Sequence, residues 1–270
     1  MAPRVGIEPT TNRLTGDRST SELPRNSVLV KDAKIIAKLG YFAKMFDNIT
    51  SMKKQSFDKK AEKIGLSPKE IQVLRKLNTP IKIQDFLDTL AINWEKNGDT
   101  QMSPRRVLRE KKAHCLEGAV LAALTLWLHG QEALILDLKA KGDDSHVVAL
   151  YKQNGYWGAI SKSNHATIRF RDPIFQNLRE LALSYFHEYF NDKNGRKALI
   201  SYSSKPFNLK KLTAGWVTAE KNLGFLNDLL ENSSHTPIIP KGNKKFIRSA
   251  DKMERKAGRL IEWRKTHSKT

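Results

Sequence analysis

A single cysteine in 270 residues excludes an internal disulfide, and nothing else argues for an oxidising compartment. Acidic residues are scarce as well. There are 28 Asp and Glu against 48 Lys and Arg, which leaves a formal charge of +20. The longest apolar run, residues 113–129, is interrupted by Glu117 and two histidines, too short and too polar to span a membrane. Residues 1–20 lack the apolar stretch of a secretory signal. The chain has no glycine-rich phosphate loop, no CxxC pair, no HExxH and no internal repeat, so neither a cofactor nor a metal is expected. These absences point to a cytoplasmic chain. Its field attracts polyanions without naming one.

What is present sorts into four stretches. Residues 1–26 have no apolar period and scattered Thr, Ser and Pro. Gly6-Ile7-Glu8-Pro9 can be encoded by a string whose reverse complement is close to the T-arm of a tRNA gene. The expectation is a leader translated from the antisense of a neighbouring tRNA gene, with the authentic start at Met45, Met52 or a nearby codon and no packing role for the segment. Residues 27–102 form a helical N-terminal segment. Residues 103–212 form the core, and residues 213–270 a basic helical C-terminal segment. In residues 241–270, eleven Lys and Arg face three Asp and Glu.

Local signals fix several elements. Ser67, Pro68 and Glu70 form a capping box ahead of a helix with Ile71, Leu74 and Leu77 on one face. Ser103-Pro104 repeats that start. "CLEGAVLAALTLWLHG" is apolar almost throughout, which predicts a buried helix ended by Gly130. "ALILDL" (133–138) predicts a strand. Asn154-Gly155 predicts the turn of a hairpin across "SHVVALYKQNGYWGAIS". "HATIRF" (165–170) continues its second strand or starts another. A helix is expected from "NLRELALSYFHEYF". Another is expected near the C-terminus, with Phe246, Ala250, Met253, Ala257, Leu260 and Ile261 on one face.

Cys115 stands where the buried helix begins. A helix N-terminus lowers a thiol pKa, a nearby histidine can hold the thiolate and protonate a leaving group, and a third polar group can fix the imidazole tautomer. His146 on the hairpin's first arm is the histidine placed to serve. The order helix with Cys, strand, hairpin with His resembles the transglutaminase-like superfamily over residues 103–175. That family shares its catalytic logic with papain-like cysteine proteases. The resemblance implies an α+β fold: a papain/transglutaminase-like core in which a Cys on a buried helix packs on an antiparallel sheet, with helical extensions on both sides. The family's third member is an Asp, and its position falls on Ser161. A two-residue turn places His146 opposite Ser163, and small loop changes move the partner anywhere from Ser161 to Asn164. Asn164 is the candidate third residue, since only its amide can orient imidazole as papain-like enzymes do. Asp172 lies further along and needs a bend to return.

The resulting expectation is a cysteine hydrolase or acyltransferase that acts on a peptide, amide or acyl substrate through a Cys115 thioester. Cys115, His146 and Asn164 form its site. The alternative is an inactive module of the same fold that binds nucleic acid or another polyanion. The basic C-terminal segment would make that contact weakly, and no membrane contact is expected.

Overall fold

Ser67, Thr79 and Ser103 each precede a proline, and each starts a helix in the computed structural model, which describes residues 29–95 and 98–262. Their hydroxyls accept from the backbone N–H groups of Glu70, Lys82 and Arg106, satisfying donors that a first turn leaves without partners. The expected Ser67–Glu70 capping box is present. Residues 1–26, expected as a leader, and the basic residues 263–270 lie outside the described residues.

In chain order the elements are α1 (Leu29–Lys63), α2 (Pro68–Lys76), α3 (Pro80–Thr89), β1 (Ala91–Ile92), α4 (Pro104–Glu110), β2 (Lys112–Ala113), α5 (Cys115–Leu128), β3 (Leu134–Ala140), β4 (His146–Gln153), β5 (Tyr156–Ile160), β6 (Arg171–Phe175), α6 (Leu178–Phe186), β7 (Leu199–Ser203), β8 (Phe207–Asn208), α7 (Gly215–Thr218), α8 (Gly224–Glu231), β9 (His235–Pro237) and α9 (Lys252–Gly258). Contacts divide the chain into a unit up to Ser51 and a unit from Met52 onward. The first contains most of α1, with Tyr41, Phe42 and Met45 exposed. The second carries the sheets and every remaining helix.

The class is mixed α+β with a mainly antiparallel sheet. The large sheet runs β6-β5-β4-β3-β7-β9, and β8 pairs with β3 from outside that path. β1 and β2 form a separate parallel pair. Strand alternation assigns the two faces. Ile135, Val147 and Ala149 pack into the core that contains α5, while Leu136, Leu138, Val148 and Leu150 pack into a second core with α6. A strand covered on both faces has no polar alternation, which is why "ALILDL" is almost continuously apolar. α5 is buried nearly all round for the same reason.

The hairpin has the expected register. Asn154 and Gly155 both take left-handed backbone, with φ of 51° and 88°, as the turn between β4 and β5 requires. Pairing runs from Gln153↔Tyr156 to Ala149↔Ile160 and then stops. Beyond it two expectations give way. "HATIRF" is neither a continuation nor a strand: residues 166–168 make a single helical turn, and the next strand begins at Arg171. The C-terminal stretch is not one amphipathic helix. Asp251 and Glu254 form a capping box that starts α9 only at Lys252, and the helix ends at Gly258 in a turn through Arg259. Phe246, Met253 and Leu260 are therefore exposed, while Ala250 is buried. Leu260 and Ile261 instead lie against the turn after β5, through the Ala166 N–H to the Leu260 carbonyl at 3.1 Å and a His165–Ile261 bridge.

Candidate active site

Cys115 is the first residue of α5, and His114 is its N-cap. The local sequence His114-Cys115-Leu116-Glu117 is a capping box built on histidine: Glu117 Oε2 accepts from His114 N–H at 2.9 Å, and Leu116 N–H lies 3.3 Å from His114 Nδ1, an acceptor only while the ring is neutral. Glu117 is 1% exposed and is satisfied by converging donors. Met102 N–H reaches it at 2.9 Å, Thr100 Oγ1 at 3.0 Å and Asn93 Nδ2 at 3.1 Å. This buried carboxylate ties the loop after β1 to the first turn of α5. The His114 ring is thereby clamped, with Nε2 2.6 Å from the Thr100 carbonyl and Glu95 and Glu117 within salt-bridge range.

The second histidine arrives from the sheet. His146 opens β4 and is buried. Its Nε2 lies 2.6 Å from Ser161 Oγ. The Ser161 hydroxyl donates to the Ile168 carbonyl at 3.2 Å, so it accepts from the imidazole, and Nε2 carries the hydrogen. Nδ1 is left as the nitrogen turned to the thiol. Ser161 takes this place because the β4–β5 ladder ends at Ile160. The amide of the buried Gln84 in α3 then replaces a strand, accepting from Ser161 N–H at 3.0 Å and donating to its carbonyl at 2.9 Å.

Cys115, partly exposed, sits between the two imidazoles. Burial works against its thiolate. Hydrogen bonds and charge from His114, then His146, outweigh it and hold the thiol at about 5. The thiolate in turn acts on His114. Burial opposes the imidazolium, but the bond to Cys115, its charge and that of Glu117 hold His114 at about 9.

The structure thus brings Cys115 and His146 together, as the sequence suggested, and gives the third position to Ser161 rather than Asn164. Asn164 lines the same cavity, where its carbonyl accepts from Glu262 N–H at 2.7 Å. Ser163 Oγ accepts from His165 N–H, and Asp172 is exposed on β6. His114, a second partner of the thiol, is not among the residues singled out from the sequence. Its signal was the Glu three residues on, a capping-box spacing. Asn164→Ala is expected to change Cys115 reactivity by less than about twofold, against a tenfold or larger loss for Ser161→Ala, because an unpaired buried Nε2–H misplaces the ring. Equal losses in the two variants, measured as alkylation or acylation rates, would reverse the assignment.

Cys115, His114 and His146 line a cavity of about 710 Å³. Lys162, which follows Ser161, is fully buried, with Nζ donating to the Leu90 carbonyl at 2.6 Å. Its stem crosses α5 at Gly118, where a Cβ would stand 2.5 Å from Lys162 Cβ. Across the cavity Asp137 of β3 meets His235 of β9, Oδ2 to Nε2 at 2.8 Å. Burial pushes the Asp137 carboxyl above the usual carboxylate range, and His235 draws it back in part. No local signal marks that pair, since 98 residues separate its members. Among the described residues no group of three or more His, Cys, Asp or Glu side chains could hold a metal ion, and no helix is long and apolar enough to cross a membrane. No model of a known protein family matches the chain, and no curated protein does.

Proposed function

We propose that the chain is a cysteine-dependent hydrolase or acyltransferase with a papain- or transglutaminase-like core, acting on an amide or acyl bond. The observation that carries this reading is the Cys115 thiol held between two imidazoles at a helix N-terminus, inside a cavity. The two rings divide the work. His114, flanked by Glu95 and Glu117, stays protonated and acts as counter-ion to the thiolate. His146 is oriented by the Ser161 hydroxyl, whose own hydrogen goes to Ile168, and it carries the proton transfers.

The Cys115 thiolate attacks the carbonyl carbon, and the partial charge of the α5 N-terminus favours the oxyanion that forms. As the carbon–leaving-group bond breaks, His146, entering the step as imidazolium, gives a proton to the departing amine and becomes neutral, leaving a Cys115 thioester. His146 next takes a proton from water as the water oxygen attacks the thioester. The carbon–sulfur bond breaks, the acid leaves, and the proton taken from water stays on His146 beside the restored thiolate. An amine in place of water would give acyl transfer by the same steps. Hydrolysis is the default, because water is present and no dedicated amine site is evident.

The pH profile of alkylation tests this. The iodoacetamide rate should rise with a midpoint at about 5 and stay level through neutral pH, with labelling lost in Cys115→Ser. An ordinary thiol rises near pH 8.5. A midpoint there, or a Cys115 that reacts only after denaturation, would leave the polyanion-binding alternative. For that reading the available surface is the exposed Lys241, Lys244 and Lys245, which lie outside the cavity.

A further inference from the structure

The wall of the cavity has the opposite sign to the rest of the chain. The formal charge is +20, yet the described residues lining the cavity include seven Asp and Glu and only two lysines. One of those lysines, Lys162, spends its ammonium on Leu90 and Glu262. Several of the carboxylates are not neutralised. Asp143, Asp144 and Asp99 are exposed and form no salt bridge among the described residues. Burial against its neighbours raises Asp143 above the usual carboxylate range, and the Asp144 charge beside it adds to that.

Asp137 adds a second, independent observation. Its side chain is 5% exposed, and His235 takes only Oδ2. Among the described residues Oδ1 has no hydrogen-bond partner, and it is not sealed from solvent either. A carboxylate this buried, fixed in direction by His235 and with one oxygen left unpaired on the cavity wall, is an acceptor waiting for a donor. His235 is itself held by the Ser233 carbonyl at 2.8 Å from Nδ1, so the pair cannot swing away.

Resting on the cysteine-hydrolase reading, we infer that this cavity selects substrates carrying a cationic N–H group, an ammonium or guanidinium of a basic peptide or similar amide. Asp137 Oδ1 accepts from that group, and Asp143 and Asp144 supply the attracting field. The arrangement also excludes polyanions from the cavity. Its field opposes the chain's overall charge, and two carboxylates near a bound cation matter more than a net charge spread over a surface that salt screens.

Three haloacetamide probes with the same reacting carbon test this. One bears a guanidinium, one a neutral hydroxyl and one a sulfonate, and each rate at Cys115 is divided by its rate with a free thiol. At low ionic strength the guanidinium probe should be fastest and the sulfonate slowest, roughly tenfold apart, with the gap closing at high salt. Asp143→Asn/Asp144→Asn should shrink the gap about threefold. Asp137→Asn should slow the guanidinium probe more than the neutral one. If that variant does not fold, the exposed double variant still decides the matter. A sulfonate probe that reacts fastest, or a ratio unmoved by the Asp143 and Asp144 substitutions, overturns the inference while the reactive thiol stands. A thiol that no probe reaches at neutral pH overturns the hydrolase reading and this inference with it.

Discussion

His146→Ala should acylate once and stop. With p-nitrophenyl acetate as acyl donor the leaving group needs no acid, so the Cys115 thiolate, still paired with His114, should release a burst of one nitrophenolate per chain. Deacylation requires a base to take the proton from water, and His146 is the ring in position to do so. Steady-state turnover should fall about 10²–10⁴-fold, the usual worth of general acid–base catalysis, with the acetyl group recovered on Cys115 by mass spectrometry. His114→Asn makes the reciprocal case. Asparagine keeps the N-cap but not the charge. The alkylation midpoint should then move up from about 5 by a unit or more while deacylation persists. A His146→Ala protein that turns over normally would transfer the base role to His114. One that shows no burst would mean that His114 alone cannot hold the thiolate.

The largest effect on stability is expected at Glu117. Replacing it by Ala removes the acceptor for Met102 N–H, Thr100 Oγ1, Asn93 Nδ2 and His114 N–H in one change. Each unpaired buried donor costs about 1–3 kcal/mol, and the shared acceptor keeps the costs from adding in full, so a loss of about 3–5 kcal/mol is expected. For a unit of this size that is a fall in Tm on the order of 10 °C. Glu117→Gln retains an acceptor oxygen but turns an amide against some of the donors, so it should fall between wild type and Ala. Calorimetry on the three proteins gives the comparison. A Tm for Glu117→Ala within about 2 °C of wild type would show that the donors find water instead.

How far the sequence reveals this site depends on distance along the chain. Cys115 at a helix start, the β4–β5 turn and its register all follow from local rules, because a capping spacing or an Asn-Gly pair acts within a few residues. Ser161 does not follow from them. Continuing the ladder beyond Ile160 places Ser163 opposite His146, but Gln84, 77 residues earlier, takes over the backbone of Ser161 and changes the path. The Asp137–His235 pair is hidden for the same reason. In the C-terminal stretch the helical period misled. Its apolar residues do recur at helical intervals, but the Asp251 cap and the pairing of Leu260 and Ile261 with the turn after β5 decide the outcome. A period shows which face is apolar, and only the partner decides whether that face is used.

That last pairing also bears on how the chain is made. The segment from Gly258 to Glu262 closes on residues 164–166, with Glu262 N–H on the Asn164 carbonyl and Arg169 bonded to the Glu262 carboxylate. Translation delivers Cys115 and His146 more than a hundred residues before Glu262. Until residue 262 has left the ribosome, the loop that follows Ser161 lacks this side of its support. Through that interval the nascent chain carries its nucleophile beside an unfinished cavity wall, and that wall closes only once residue 262 has been released.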